Sequence, residues 1–452
     1  MPPPPDATPA PQPPAGFYPL RGVAQPAQVW SWISFDVANQ SFTLIINTLL
    51  FSIFFQEVVV TDPASKDTLW SLLFAVSMLL VVVASPVAGA IADGRCWKKK
   101  CLVGSGLLCA ALTCCLGLIG PHQLWPAVLL YIPANFFFNI GENFLASFLP
   151  QLARQEEFGR VSGFSWGVAY SSALVMLLAT AGAMVWLDLK QPAQWRPFFV
   201  AAGVWFFLFT VPTMLVLRER GPAPQPGNIL AMGFRRLAES ARATGSHKDL
   251  VTLLIASFFY GGAMCVIVSF ASIIAQDFGF RDAALVGFIA VITVSGILGT
   301  LIPTFLQDRV GHKRMTIALL FVWLLTTAYL AWTAHQAASV PPGTDPPRWP
   351  VWLAGNLLGF GLGSLGTANR AFFGVMTPPS RSAEFFGVWG LVFKLAAVLV
   401  IPFGIAKDRF GMTASLAVLG GMVLAGLLVT LLVNEQRGTR AAREDAPAAT
   451  PG

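Results

Sequence analysis

Polar positions in this chain are confined to short segments between long apolar runs, with a few exceptions inside the runs. Twelve runs lie near residues 30–56, 69–92, 101–120, 125–149, 161–186, 196–217, 250–276, 283–306, 314–335, 350–376, 383–406 and 411–433. Each reaches the roughly 20 residues that a helix needs to cross about 30 Å of hydrocarbon. They predict an all-α polytopic membrane protein with twelve transmembrane helices. The first run, WSWISFDVANQSFTLIINTLLFSIFFQE, breaks its own apolarity with Asp36, Asn39, Gln40, Thr43 and Asn47. At 3.6 residues per turn, Asp36, Gln40, Thr43 and Asn47 share an arc of about 60°. Carboxylates and amides are costly in hydrocarbon unless they face protein or water. The stripe is therefore expected to wall a cavity.

The runs divide six and six. A segment of about thirty residues, RERGPAPQPGNILAMGFRRLAESARATGSHKD, separates them. Its Pro and Gly break structure, while 229–243 has the pattern of a short basic helix lying on a membrane surface; a plain solvated linker fits equally. The expected organisation is a disordered Pro-rich tail over 1–28, a six-helix bundle over 29–218, a linker over 219–249, a second bundle over 250–434 and a disordered tail over 435–452. Two bundles of this kind are expected to be related by a pseudo-twofold axis along the membrane normal.

Composition supports the class. Hydrophobic residues make up 55% of the 452 and charged residues 11%, a balance that soluble domains rarely show. The net charge of +7 follows from topology and requires no nucleic-acid partner. With the N-terminus inside, 20 of the 29 Lys and Arg fall on the inner segments and seven on the outer loops, which satisfies the positive-inside rule. Both termini are thus expected in the cytoplasm, with the chain in a bacterial inner membrane. Five of the six cysteines lie in or beside the third run and none is paired with a histidine at metal-ligand spacing, so they read as packing residues.

Two basic residues, Arg370 and Lys394, lie inside runs, and the fourth run carries Asn135, Asn139 and Glu142 within about 60°. The tenth carries Asn356, Gly363, Thr367 and Arg370 in a comparable arc, with glycines at 355, 359, 361, 363 and 366 that permit close packing or bending. Following each run's direction puts Asp36, Glu142 and Arg370 in the cytoplasmic third of the membrane. Asn47, Asn139, Tyr260 and Lys394 fall nearer the midplane. Depth assigns Asp36, Asn39, Glu142 and Arg370 to a gate or coupling device that pairs across the bundles, and Thr43, Asn47, Asn139, Tyr260 and Lys394 to a substrate site. A static buried pair that only ties helices together is the alternative for the carboxylates, and a structural counter-ion is the alternative for Lys394.

The loops after the second and eighth runs, Gly89-Ala-Ile-Ala-Asp93-Gly-Arg95 and Asp308-Arg309-Val-Gly311-His-Lys313-Arg314, both place an aspartate and then a basic cluster at a helix end. They resemble the G-x-x-x-D-x-x-G-R-[RK]-[RK] loop of the major facilitator superfamily. That resemblance implies that Asp93, Arg95, Asp308 and Arg309 latch the bundles, and that helices 1, 4, 7 and 10 line a central cavity. WSWISFDVANQSF, NFFFNIGENFLASFLPQLARQEEFGRVSGFSWGVAY, WRPFFVAAGVWFFLFTVPTMLVLRER and GTANRAFFGVMTPPSRSAEFFGVWGLVFKLAAVLVIPFGIAKDRFG resemble the vacuole-effluxer branch, which contains vacuolar amino-acid exporters and bacterial homologues. Phe35, Val37 and Asn369 depart from its pattern.

The expected function is secondary active transport: export of an amino acid or similar small metabolite by alternating access. No G-x-x-x-x-G-K-[ST] loop is present to bind ATP, no enzymatic constellation or cofactor site is visible, and a proton or other ion gradient is the expected driving force. Transport of an amphiphile, drug, sugar or lysolipid, and a non-transporting membrane sensor or assembly factor, are the alternatives.

Overall fold

The computed structural model describes residues 20, 25–154, 157–219, 235, 238, 239, 241–339, 347–378 and 381–444. The apolar runs fold as α1 (Pro26–Val59), α2 (Lys66–Arg95), α3 (Lys98–Leu116), α4 (Leu124–Ala146), α5 (Phe158–Trp186), α6 (Arg196–Val216), α7 (Lys248–Asp277), α8 (Asp282–Val310), α9 (His312–Ala337) and α10 (Trp349–Val375). The last two, α11 (382–410) and α12 (412–432), are joined by Gly411 alone. Its φ of 81° and ψ of −175° belong to a region that essentially only glycine occupies, which explains so abrupt a junction. No strand occurs among the described residues.

In the first half, α1 packs on α5 and α6, and α4 on α2 and α3; in the second, α10 packs on α8 and α9. Across the seam between the halves, α2 meets α11, α5 meets α8, and the second half of α1 meets α7. The glycines of α10 serve close packing. A Cβ on Gly363 would lie 2.0 Å from the Gly296 carbonyl oxygen, and one on Gly299 would lie 2.0 Å from that of Phe360. Backbone therefore touches backbone between α8 and α10.

The ends of α1, α6, α7 and α12 share one face of the molecule, called here the terminal end. The Arg218 amide donates to Gln28 Oε1 at 3.1 Å, and the Asn434 amide donates to Asp249 Oδ1 at 2.9 Å, in equivalent places of the two halves. Glu219 accepts the Lys98 and Lys99 amides at 3.0 Å, capping α3. Glu435 accepts those of His312 and Lys313 at 3.2 and 3.0 Å, capping α9. The repeat is thus visible in paired caps as well as in helix order.

Both expected tails need correction near the helices. Residues 26–28 already belong to α1. Residues 435–444, expected to be disordered, form a further helix, α13 (Glu435–Glu444). It is held because Arg437 pairs with Asp249 at 2.6 Å and Gly438 packs on Met376, which gives a polar segment a docked face. Of the surface helix expected over 229–243, only 235, 238, 239 and 241–243 are described, and these are helical.

Candidate functional site

Charged side chains from both halves face one another toward the terminal end. Asp36 on α1 accepts a hydrogen bond from Ser165 Oγ on α5 at 2.7 Å. Glu142 on α4 is within electrostatic reach of Asp36 and of Lys394 on α11, and Tyr170 on α5 is within reach of both carboxylates. Lys394 in turn interacts with Cys265 on α7. Glu142 and Arg370 are exposed and Asp36, Tyr170 and Lys394 half-exposed, so the space they border is open to solvent. This chamber brings two carboxylates of one half opposite an ammonium group of the other. Arg370 does not join them: its guanidinium lies 5.8 Å from the Trp389 ring centroid and pairs with no carboxylate among the described residues. The expected cation opposite Glu142 was Arg370, whereas in this conformation it is Lys394.

The deeper polar positions turn into the bundles. Residues 42–49 of α1 are π-helical, as are 55–59. A π turn takes in one residue more than an α turn, so positions beyond Phe42 fall behind the 3.6-residue register. The single stripe is therefore split. Asn47 is buried and accepts from Tyr131 OH at 2.8 Å while its amide donates to Asn135 Oδ1 at 3.1 Å. Asn135 donates to Ser77 Oγ at 2.6 Å, and Asn139 donates to the Asn135 carbonyl oxygen at 2.9 Å. Thr43, half-exposed, donates to the Asn39 carbonyl oxygen at 3.1 Å. In the second half Tyr260 is fully buried and donates to Asn369 Oδ1 at 2.5 Å. Asn47, Asn139 and Tyr260 thus have their polar groups engaged inside the bundles, away from the chamber. Asn39 is 1% exposed, and its amide makes no hydrogen bond among the described residues.

Of the two loops expected to latch the halves, the second shows no contact of its aspartate or arginine with the other half among the described residues. Asp308 and Arg309 are exposed and make no ion pair among the described residues, and Arg95 stacks 5.0 Å over Trp97. The Asp93 side chain lies outside what is described. At this end Glu219 and Glu435 reach the N-termini of α3 and α9, each within its own half.

The opposite end is closed by a polar network crossing the seam. Lys407 on α11 reaches Asp67 of α2 at 2.8 Å and Asp277 of α7 at 2.9 Å. Gln56 donates to the other oxygen of Asp67 at 2.7 Å. Asp408 accepts the Asp67 and Thr68 amides at 3.1 and 2.6 Å, so a carboxylate of one half caps a helix of the other. Trp70 Nε1 donates to the Ser269 carbonyl oxygen at 2.8 Å, Ser52 and Ser272 meet at 3.1 Å, and Gln276 donates to Glu57. Gly404 permits this approach, since a Cβ there would lie 2.5 Å from the Asp67 carbonyl oxygen.

A chamber open at one end and an ion-paired seam at the other fit a transport protein, and comparison with known families agrees. The family described as "Vacuole effluxer Atg22 like" matches residues 63–443. The chain belongs to that family. It is 22% identical over 424 residues to an uncharacterized MFS-type transporter, YxiO, of Bacillus subtilis, covering 90% of this chain and 95% of that protein. It is 24% identical over 395 residues to autophagy-related protein 22 of Pichia angusta, covering 74% and 69%. The match to autophagy-related protein 22-1 of Penicillium rubens, also 24% identical, spans 62% of this chain and 50% of that protein. The fold is shared with a D-xylose-proton symporter, with a TM-score of 0.69 at 14% identity over 91% of this chain and 98% of that one. The POT family transporter PepTSo also gives 0.69 at 14% identity, over 93% and 98%. The chain is therefore an integral multi-pass membrane transporter of the major facilitator type.

For this Atg22-like chain, the sequence pattern did not single out Asp67, Asp277, Lys407 or Asp408, and Lys407 is one of the seven basic residues expected on outer loops. One signal was present: Lys407 and Asp408 directly follow the apolar stretch IPFGIA, and Asp67 lies two residues before the start of another apolar run. Charges that close to a hydrophobic boundary reach either water or each other, and only the packing of α2 on α11 selects the second outcome.

Proposed function

We propose that this protein exports a small solute bearing an anionic group, an amino acid or a similar metabolite, as a secondary transporter working by alternating access. The observation that carries the reading is the pairing of an open chamber holding Asp36, Glu142 and Lys394 with a buried ion-pair network at the other end. In a rocking transporter the two ends open in turn. The terminal end, where the basic inner segments cluster, is the cytoplasmic one, and the conformation described is inward-open. Lys394 meets the substrate's anionic group, while Asp36 and Glu142 carry the coupling proton or its equivalent. The family's description as vacuole effluxers supports movement of a solute across the membrane, and the outward direction is this proposal's own. In a bacterium the membrane is the inner one, whereas the fungal relatives are associated by family name with the vacuole.

The test is reconstitution in proteoliposomes with a panel of amino acids, organic acids, sugars and lysolipids, with and without a pH gradient. Flux of anionic or zwitterionic solutes that rises with the gradient is expected. Absence of flux across the panel would remove the transport mechanism proposed here, and flux confined to sugars or lysolipids would remove the assignment of Lys394.

A further inference from the structure

The network at the closed end contains one cation between two carboxylates that belong to different halves. Lys407 and Asp277 both lie in the second half, on α11 and α7. Asp67 lies in the first, and its other oxygen is held by Gln56 of α1, also in the first. Side-chain exposure is 7% for Lys407, 3% for Asp67 and 38% for Asp277. We propose that Lys407 is a shared switch cation: it bridges both carboxylates when this end is closed and stays with Asp277 alone when the halves part. The proposal rests on the alternating-access reading above.

The geometry explains the arrangement. When the halves separate, the charged contacts that must break are Lys407 with Asp67 and Asp408 with the α2 amides, along with the bonds of Trp70 to Ser269, Ser52 to Ser272 and Gln276 to Glu57. Lys407 leaves with a counter-ion already in place at 2.9 Å, and Asp67 leaves with Gln56 still donating at 2.7 Å. Neither charge is stripped of every partner, which reduces the penalty of breaking a buried pair. The two carboxylates therefore act in opposite senses. Asp67 attracts Lys407 only in the closed state. Asp277 competes for Lys407 in the closed state, repels Asp67 across the shared cation, and supplies the sole counter-ion in the open one.

Ser52 and Ser272 report the closed state, because their Oγ atoms meet at 3.1 Å across the seam. In the full-length S52C/S272C protein in proteoliposomes, the rate of disulfide formation under a mild oxidant, read by peptide mapping, follows the closed population. Asp67→Asn is expected to lower that rate about tenfold or more. Asp277→Asn is expected to raise it roughly two- to fivefold, since Lys407 then binds Asp67 without competition. A fall in both variants, or no change with Asp67→Asn, overturns the switch. Should Asp67→Asn fail to fold, the Asp277 arm decides alone, because that side chain is partly exposed and the substitution is isosteric. A rate that no variant moves, Lys407→Gln included, overturns alternating access together with the switch.

Discussion

Gly404→Ala is a one-methyl test of how the closed end is held. The new Cβ would stand 2.5 Å from the Asp67 carbonyl oxygen, 2.5 Å from Ser71 Oγ and 2.9 Å from Ser71 Cβ. Ordinary contact begins near 3.4 Å, so α11 must retreat from α2 by about 0.9 Å. A retreat of that size stretches the Lys407–Asp67 contact from 2.8 Å to about 3.7 Å, and the Asp408 contact with the Thr68 amide from 2.6 Å to about 3.5 Å. Both then leave hydrogen-bonding range. Overpacking of this kind costs about 1–3 kcal/mol, and parting the halves relieves it, so the closed-to-open ratio should fall by about fivefold to 150-fold. Labelling of Ser272→Cys by a membrane-impermeant maleimide added outside should accelerate by the same factor. Gly421→Ala is the control, because nothing lies within 4 Å of its Cβ. An unchanged labelling rate in folded Gly404→Ala protein would refute the contact between α2 and α11 as the element that shuts this end.

Three further outcomes are expected. Asp36→Asn should abolish concentrative transport at near-normal yield of folded protein; undiminished accumulation against a gradient would remove Asp36 from coupling. Gly363→Leu should cost about 3 kcal/mol or more and lose monodisperse protein in detergent, because α8 backbone occupies the space its side chain needs; a normal elution profile and melting temperature would contradict the packing described. Glu435→Ala should remove about 1 kcal/mol of capping from α9 and speed hydrogen exchange at the His312 and Lys313 amides. Exchange at the wild-type rate there would show that the cap contributes nothing.

The charged groups of the chamber were legible because ionisable residues within apolar runs stand out against their surroundings, as Asp36, Glu142 and Lys394 do. Their partners were less legible. Whether Glu142 faces Arg370 or Lys394 depends on how two bundles lean on one another, and helix periodicity carries no information about that. Asn47 shows a second limit. A register computed at 3.6 residues per turn places it beside Asp36, but the π-helical stretch from Phe42 to Leu49 shifts it toward Tyr131 and Asn135.

From sequence alone, hydrophobic length determined that the chain crosses a membrane twelve times, and the doubled pattern of runs and loops determined its division into two similar halves. Those properties are set locally, by the cost of exposing backbone and polar groups to hydrocarbon. Tertiary structure alone decided which charges meet. Lys407, Asp67 and Asp277 are separated by hundreds of residues in two of their three pairings, and they come together only because small residues such as Gly404 let α11 lie directly against α2.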